Sequence, residues 1–379
     1  MKKILFITHE SSRTGAPLVL LNFLKWLKLF ESDIQIDCLS LASGDLDNEF
    51  KEVSDNFYLF KKKKESIFNK VFYKIKGTTS KKESKKGLIN VLKAQGYDLI
   101  FANSILSLEI SSQLKKEFTN VKLILHLHEL NVSIKLYSPS FLKDNKSVDL
   151  FICVSSIVQK NIINNYNVSI DKTRIIHPFS KLRRIDSLEI QKKNNKEKFI
   201  VGASGNMNHR KGYDLFVSVA KEVMTRLPNS DIEFHWIGKK ANKNLLLELE
   251  ADIIKADLEK VVFFKGEFKK PEEEFTLFDI FLMTSREDPF PLVCIEVGNL
   301  GKPIICFKGA TGTEEVLLEK GGGKIVPYIS VTSMAEEVIN YFNDRQKIIE
   351  DGLIAHKSFK NFTVEEQSPK IYNVIKELV

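Results

Sequence analysis

Cysteine is scarce in this chain of 379 residues, and the four present, Cys38, Cys153, Cys294 and Cys306, are widely scattered. No Cys-x-x-Cys pair occurs, and no histidine stands near them at metal-ligand spacing. That excludes a disulfide framework and a cysteine-based zinc site, and it leaves reduced core thiols, as expected of a cytosolic protein. Long apolar runs are also missing: nowhere do about 18 apolar residues follow one another, so no segment reads as a membrane span. Lys2 and Lys3 precede only the short run Ile4 to Thr8, followed by polar His9, Glu10, Ser11 and Ser12, which reads as a first strand rather than a signal peptide. Solenoid-type repeats and low-complexity tails are absent.

What is present points to an α/β protein of two domains. With 43% hydrophobic residues the chain can bury two ordinary cores, and one core rarely grows beyond about 250 to 300 residues. Short apolar runs alternate with amphipathic stretches, the pattern of a doubly wound sheet. The first half predicts strands over Lys3 to Thr8, Ile34 to Leu41, Leu99 to Asn103, Lys122 to His126, Leu150 to Val154 and Thr173 to Ile176, with helices over Pro17 to Phe30 and Ser107 to Phe118. A polar stretch from Ser180 to Lys198 interrupts the pattern and reads as a linker. Strands resume over Phe199 to Ala203, Ile232 to Ile237, Val261 to Phe264, Phe278 to Met283, Pro303 to Phe307 and Lys324 to Val326. The expected domains are therefore 1–180 and 199–361, joined by 181–198, with a last helix over Val364 to Leu378 in the segment 362–379.

The 57 basic and 49 acidic side chains leave a net charge of +8, which favours anionic partners such as nucleotides, anionic lipid surfaces or nucleic acid. A nucleic-acid-binding reading explains the lysines, but no aromatic-and-basic platform or recognition helix accompanies them, so no nucleic-acid partner is expected. Between Lys61 and Lys86, lysines interleave with Ile67, Phe68, Val71, Phe72 and Ile75 at helical spacing. Such a segment can lie on an anionic membrane, which would make the protein peripheral at the inner face, or it can be a surface helix whose apolar face joins the core.

The densest chemistry follows the run Phe278 to Met283, where Thr-Ser-Arg-Glu-Asp-Pro-Phe-Pro-Leu-Val-Cys-Ile-Glu ends on Glu296. Asp288 and Glu296 lie eight positions apart, and Pro291 suits the first turn of a helix through Leu300. An acid and a helix start then share a strand's carboxyl end, where open α/β sheets bind ligands. After Phe199 to Ala203, the loop Gly202-Ala-Ser-Gly-Asn-Met-Asn-His-Arg-Lys-Gly places Arg210 and Lys211 before a helix beginning near Tyr213. It is not a Gly-x-Gly-x-x-Gly fingerprint, but it can bring backbone N–H groups and two cations to a diphosphate. Each charge-assisted hydrogen bond is worth about 1.5 to 3 kcal/mol against about 0.3 to 1 for a helix dipole, so the cations should dominate.

In the first half, Ser12-Arg-Thr-Gly-Ala-Pro follows the first strand, where Gly15 lets backbone approach a ligand and Pro17 opens a helix. His126-Leu-His128-Glu129 ends another strand, and alternation sends both histidines to one side. Zinc would need a third ligand motif that the sequence does not supply. Gly309-Ala-Thr-Gly-Thr-Glu-Glu-Val forms a turn before a helix headed by Glu314 or Glu315, acids that can simply complement the dipole.

The acid, seven residues and glutamate of Asp288 and Glu296, together with Arg210-Lys-Gly-Tyr-Asp-Leu, resemble the donor-site motifs of retaining GT-B glycosyltransferases of the family 4 type. Most members carry glutamate first; Glu287 stands one residue short of that spacing, so Asp288 is assigned and Glu287 is the alternative. The resemblance implies a GT-B fold whose last element returns to the first domain. It also implies that Asp288 contacts the donor sugar and Glu296 the ribose hydroxyls, while Arg210 and Lys211 bind the diphosphate and His128 reaches toward the sugar. Gly15, Gly205, Phe290, Pro291, Leu292 and Val293 complete the implied donor-binding set. The implied reaction is transfer from a nucleotide diphosphate sugar to a glycan or lipid-linked acceptor in surface polysaccharide synthesis. No Asp-x-Asp motif stands at a strand end, so no metal and no other cofactor is expected. An epimerase or hydrolase acting on a nucleotide sugar is the alternative within the same fold, with Asp288 and Glu296 as acid and base.

Overall fold

The computed structural model describes residues 1–60, 85–183, 190 and 198–379. The basic segment read between Lys61 and Lys86 lies almost wholly outside these residues, as do 184–189 and 191–197 of the expected linker. The chain divides into two compact units, one made of 1–154, 158–176 and 364–379, the other of 155–157 and 177–363.

The first unit is built on seven parallel strands: β1 (Lys2–Thr8), β2 (Ile34–Ser40), β3 (Asn56–Leu59), β4 (Leu99–Asn103), β5 (Lys122–Leu127), β6 (Leu150–Cys153) and β7 (Thr173–Ile175). They lie in the order β3-β2-β1-β4-β5-β6-β7. The central strands are continuous Ile, Leu, Phe and Val runs because a parallel sheet is covered on both faces; Ile4 to Ile7 and all of β4 are buried. Helix α1 (Gly15–Phe30) buries Val19, Leu20, Phe23, Leu24 and Leu27 at helical spacing. Helices α2 (Leu108–Glu117), α3 (Asn131–Tyr137), α4 (Phe141–Asp144) and α5 (Ser156–Tyr166) follow later strands. The strand β3 escapes sequence reading because its four residues are only partly covered and lie at the sheet edge.

The second unit repeats the plan with six strands, β8 (Phe199–Ser204), β9 (Ile232–Ile237), β10 (Val262–Gly266), β11 (Ile280–Met283), β12 (Ile304–Phe307) and β13 (Gly323–Val326), ordered β10-β9-β8-β11-β12-β13. Its functional helices are α6 (Tyr213–Arg226), α7 (Leu292–Asn299) and α8 (Thr313–Lys320), with α9 (Val331–Asn343) and α10 (Arg345–Phe359) completing the layers. Phe216 packs edge-on against Phe234 and Trp236, with ring centres 5.6 and 5.4 Å away, at the centre of its core. Helix α11 (Val364–Lys376) belongs to the first unit and packs on α1, with the Trp26 and Tyr372 rings 6.2 Å apart.

The contact-defined first unit runs to Ile176 before the chain enters the second unit, and it resumes at Val364. Residues 177–180 are held by second-unit partners: the His177 ring lies 5.1 Å from Phe290, the Ser180 N–H donates to the Phe362 carbonyl, and its hydroxyl donates to Glu296. Helix α7 begins at Leu292, with Pro291 extended at its N-cap rather than inside the first turn.

Candidate functional site

Strand order decides where each sheet can hold a ligand. In the second unit the chain runs outward from β8 through β9 to β10, then reverses to β11 on the other side of β8. The loops leaving β8 and β11 therefore diverge at their carboxyl ends, the switch point at which doubly wound sheets open a crevice. These are the two loops that carry Arg210, Lys211 and Asp288.

The β8 loop is shaped by two glycines. Gly205 has φ of 152°, and a Cβ there would press on the aliphatic chain of Lys211 at 3.1 Å. Gly212 has φ of 73°, and a Cβ would meet the Thr284 carbonyl oxygen at 2.1 Å. Between them, His209 to Lys211 form one 3-10 turn capped by Asn208, whose side-chain oxygen accepts from the Lys211 N–H at 3.0 Å. Only glycine lets this turn sit directly against the β11 loop.

The two loops are zipped together. Lys211 Nζ lies 2.5 Å from Asp288 Oδ2, and Arg210 Nη1 lies 3.5 Å from the same oxygen while donating to the Glu287 carbonyl at 2.8 Å. Burial alone would raise the Asp288 carboxyl, but Lys211 and Arg210 outweigh it and hold it below the usual carboxylate range. Arg286 completes the join. Its guanidinium grips Asp214 with two hydrogen bonds of 2.9 and 2.7 Å and donates to the His209 carbonyl, while its backbone N–H donates to the Arg210 carbonyl. The Arg286 pair also lowers Asp214, against the upward push of its partial burial.

A third loop closes around Asp288 from the far side. The Asp288 N–H donates to the Ala310 carbonyl, and the Gly312 N–H donates to the Asp288 carbonyl. Glu314 folds back to accept from the Gly309 N–H, and Glu315 accepts from the Ser156 N–H and lies against His177. Both acids are thus engaged in local structure.

Residues 185–352, which carry these loops, match the family described as glycosyl transferases group 1. That match covers less than half of the chain and lies almost wholly in the second unit. The complete fold is GT-B: Anabaena HepE, solved in complex with UDP and glucose, superposes with a TM-score of 0.77 over 100% of both chains at 19% identity. Sucrose-phosphate synthase of Thermosynechococcus elongatus superposes with a TM-score of 0.75 at 16% identity, covering 100% of this chain and 99% of that one. Among curated proteins, the lipopolysaccharide core biosynthesis mannosyltransferase LpsB of Rhizobium meliloti is 25% identical over 223 residues, 55% of this chain. That match spans 59% of the relative's length.

In this GT-B chain, Glu296 stands in the second turn of α7 and accepts from the Ser180 hydroxyl at 2.7 Å. Burial pushes its carboxyl up to about 7; Ser180 offsets part of the rise and Glu272 adds to it. The first turn of α7 has no acid and no side-chain cap, so the half-buried Leu292 and Val293 offer backbone N–H groups at the switch point. The Phe290 ring is buried between His177 and Phe362, with centres 5.1 and 5.5 Å away, so its side chain packs. The buried Pro291 occupies the N-cap position of α7 without a side-chain hydrogen bond.

In the first unit the switch point lies between β1 and β4. Gly15 is exposed and opens α1, whose first turn has no acid and whose N-cap Thr14 makes no side-chain cap. At the end of β5 the His126 and His128 rings are 4.1 Å apart, so both do lie on one side. Asn103 connects this pair to α1: its amide nitrogen donates to the Ala16 carbonyl at 3.0 Å, and its side-chain oxygen faces His128 Nε2 at 3.1 Å. An amide oxygen only accepts, so His128 carries its proton on Nε2 and presents Nδ1 as an acceptor. Burial, reinforced by His126 and His9, drives the His128 pKa well down, and burial takes His126 to about 3. Glu129 turns to the start of the next turn, accepting from the backbone N–H groups of Ile105 and His128.

Among the described residues, no group of three His, Cys, Asp or Glu side chains stands at metal-holding geometry, and no helix is long and apolar enough to cross a membrane. Sequence reasoning missed Arg286, Asp214 and Asn103. Arg286 and Asp214 sit inside the very motifs that were read, but a pairing across 72 positions leaves no local trace.

Proposed function

We propose that this protein is a retaining glycosyltransferase that moves a sugar from a nucleotide diphosphate sugar to a hydroxyl of a glycan or lipid-linked acceptor. The observation that carries the reading is the joined pair of loops at the β8–β11 switch point, with Arg210 and Lys211 beside the uncapped start of α7. Two cations and free N–H groups form a seat for a diphosphate leaving group. Asp288 holds Lys211 extended and charged before the donor arrives. Glu296 accepts from the ribose hydroxyls, and His128 Nδ1 accepts from a sugar hydroxyl. In front-face attack, the acceptor oxygen bonds to the anomeric carbon on the side from which the diphosphate departs. The acceptor proton passes to a donor phosphate oxygen, while Arg210 and Lys211 stabilise the charge on the leaving group. No resident metal takes part in this scheme; loss of turnover on chelation, restored by manganese, would overturn that element. The neutral histidines suit a polar, uncharged acceptor, and the lipopolysaccharide enzyme among the relatives favours a role in surface polysaccharide assembly.

A thermal-shift screen of UDP, GDP, ADP and their sugars tests the reading, repeated on Arg210→Ala, Lys211→Ala. A nucleotide present at 100 times its Kd adds about 2.7 kcal/mol of stability. Selective stabilisation by one nucleotide, lost in the variant, is expected; no shift with any nucleotide would remove the donor from the scheme. One observation favours a hydrolase or epimerase instead: Asp288 is held low and Glu296 is pushed up to about 7, a separation that suits a base and an acid. Release of free nucleotide from a nucleotide sugar with no glycosylated product would decide for it.

A further inference from the structure

Helices α3 and α4 follow directly from the carboxyl end of β5 in the first unit, just beyond His128 and Glu129. Their inner faces are anchored. Ile134 and Phe141 are fully buried, the Phe141 ring meets Tyr166 edge-on at 4.8 Å, and the Tyr166 hydroxyl donates to Asn131 at 2.8 Å. The outer face is nevertheless apolar: Val132 is 56% exposed, Leu136 66%, Tyr137 63% and Leu142 55%. Elsewhere among the described residues, such exposed side chains stand no more than two to an element, whereas α3 alone carries three. Over residues 131–147 every exposed charge is a lysine, Lys135, Lys143 or Lys146. The one acid in that stretch, Asp144, is buried and accepts from the Ser140 hydroxyl at 2.6 Å.

From this face we infer that α3 and α4 dock the first unit onto an anionic lipid bilayer. Aliphatic side chains enter the headgroup boundary, Tyr137 sits at the interface with its hydroxyl in water, and the three lysines face lipid phosphates. A second copy of the chain fits poorly, because a two-fold contact through this face would bring its lysines against themselves. The face uses neither the residues of the Lys61 to Lys86 segment nor the donor-site residues of the second unit, so its test is independent of glycosyl transfer.

The test uses the full chain with Tyr137→Trp as a reporter, the wild type with its two tryptophans serving as the baseline. With vesicles of phosphatidylglycerol and phosphatidylcholine, the new fluorescence should shift to the blue and be quenched by brominated acyl chains; phosphatidylcholine alone should do neither. Leu136→Ser with Lys143→Glu, at two exposed positions, should lower partitioning onto the anionic vesicles about tenfold with the melting temperature unchanged. Cosedimentation with the reporter left unquenched would assign binding to another surface and overturn the inference. Failure to cosediment would overturn it too. So would a concentration-dependent dimer abolished by the double variant, which would make the face a contact between copies.

Discussion

At the end of β5 in the first unit two histidines are kept neutral by burial, whereas at the β8–β11 switch point of the second unit cations and carboxylates are paired with one another. The His126 and His128 rings lie 4.1 Å apart, tilted by 49°, with lowered pKa values, and an amide oxygen sets the tautomer of His128. Lys211, Arg210 and Arg286 instead share Asp288 and Asp214 through contacts of 2.5 to 3.5 Å. These two clusters, on sheets of the same winding, thus carry opposite electrostatic designs. A neutral edge can accept and donate to hydroxyls without attracting counterions, while a charged edge can hold a diphosphate only if its cations are already fixed by partners.

The comparison breaks most visibly at Lys211. Lys211→Ala strands a buried carboxylate, so stability should fall by about 3 kcal/mol or more in denaturant melts, and transfer should drop about 10²- to 10³-fold. Pairing Lys211→Met with Asp288→Leu should recover much of the stability and none of the turnover. Recovery of both would show that the ion pair serves folding alone.

Glu296 is the one charged-edge group pushed toward neutrality, and its sign is opposite to that of Asp288. Its folded pKa of about 7 lies above the ordinary 4.5, so its contribution to stability is complete below about pH 4.5 and is lost as pH rises through 7. The loss amounts to about 3 kcal/mol, at about 1.4 kcal/mol per unit. Glu296→Gln should remove that slope and be more stable than the wild type at pH 8. If the carboxylate accepts from a ribose, nucleotide affinity of the wild type should climb with pH up to about 7 and then level, which calorimetric titration across that range would measure.

A smaller effect is expected at Arg286, whose partner Asp214 is partly solvated. Arg286→Ala should raise the KM for the donor about tenfold with little change in melting temperature, and Arg286→Lys should restore only part, since the two-pronged grip on Asp214 needs a guanidinium. An unchanged KM would confine the Arg286 brace to structure.

The smallest change at neutral pH falls on the first unit. His126 has a depressed pKa, so its stabilising contribution is present above about 6.5 and is lost as pH falls toward 3, at most about 1.4 kcal/mol per unit. His126→Phe should leave stability at pH 7 nearly unchanged and flatten the acid side of a pH-dependent melt. An unaltered acid limb would place the acid sensitivity elsewhere.

Alternating apolar runs identified twelve of the thirteen strands among the described residues to within two residues, because a parallel strand buried on both faces is written as an uninterrupted apolar word. Backbone freedom was legible too: glycines at 205 and 212 mark a turn that few other residues can make. Tertiary structure alone decided which charges meet. Lys211 finds Asp288 across 77 positions and Arg286 finds Asp214 across 72, distances along the chain at which no spacing rule operates. It also decided that Phe290 packs against His177 and Phe362, that residues 177–180 belong with the second unit, and that burial sets His126 and Glu296 on opposite sides of their ordinary pKa values. Local pattern records how a segment folds, whereas pairing and desolvation depend on what the fold brings to each side chain, and only the assembled sheets and loops determine that.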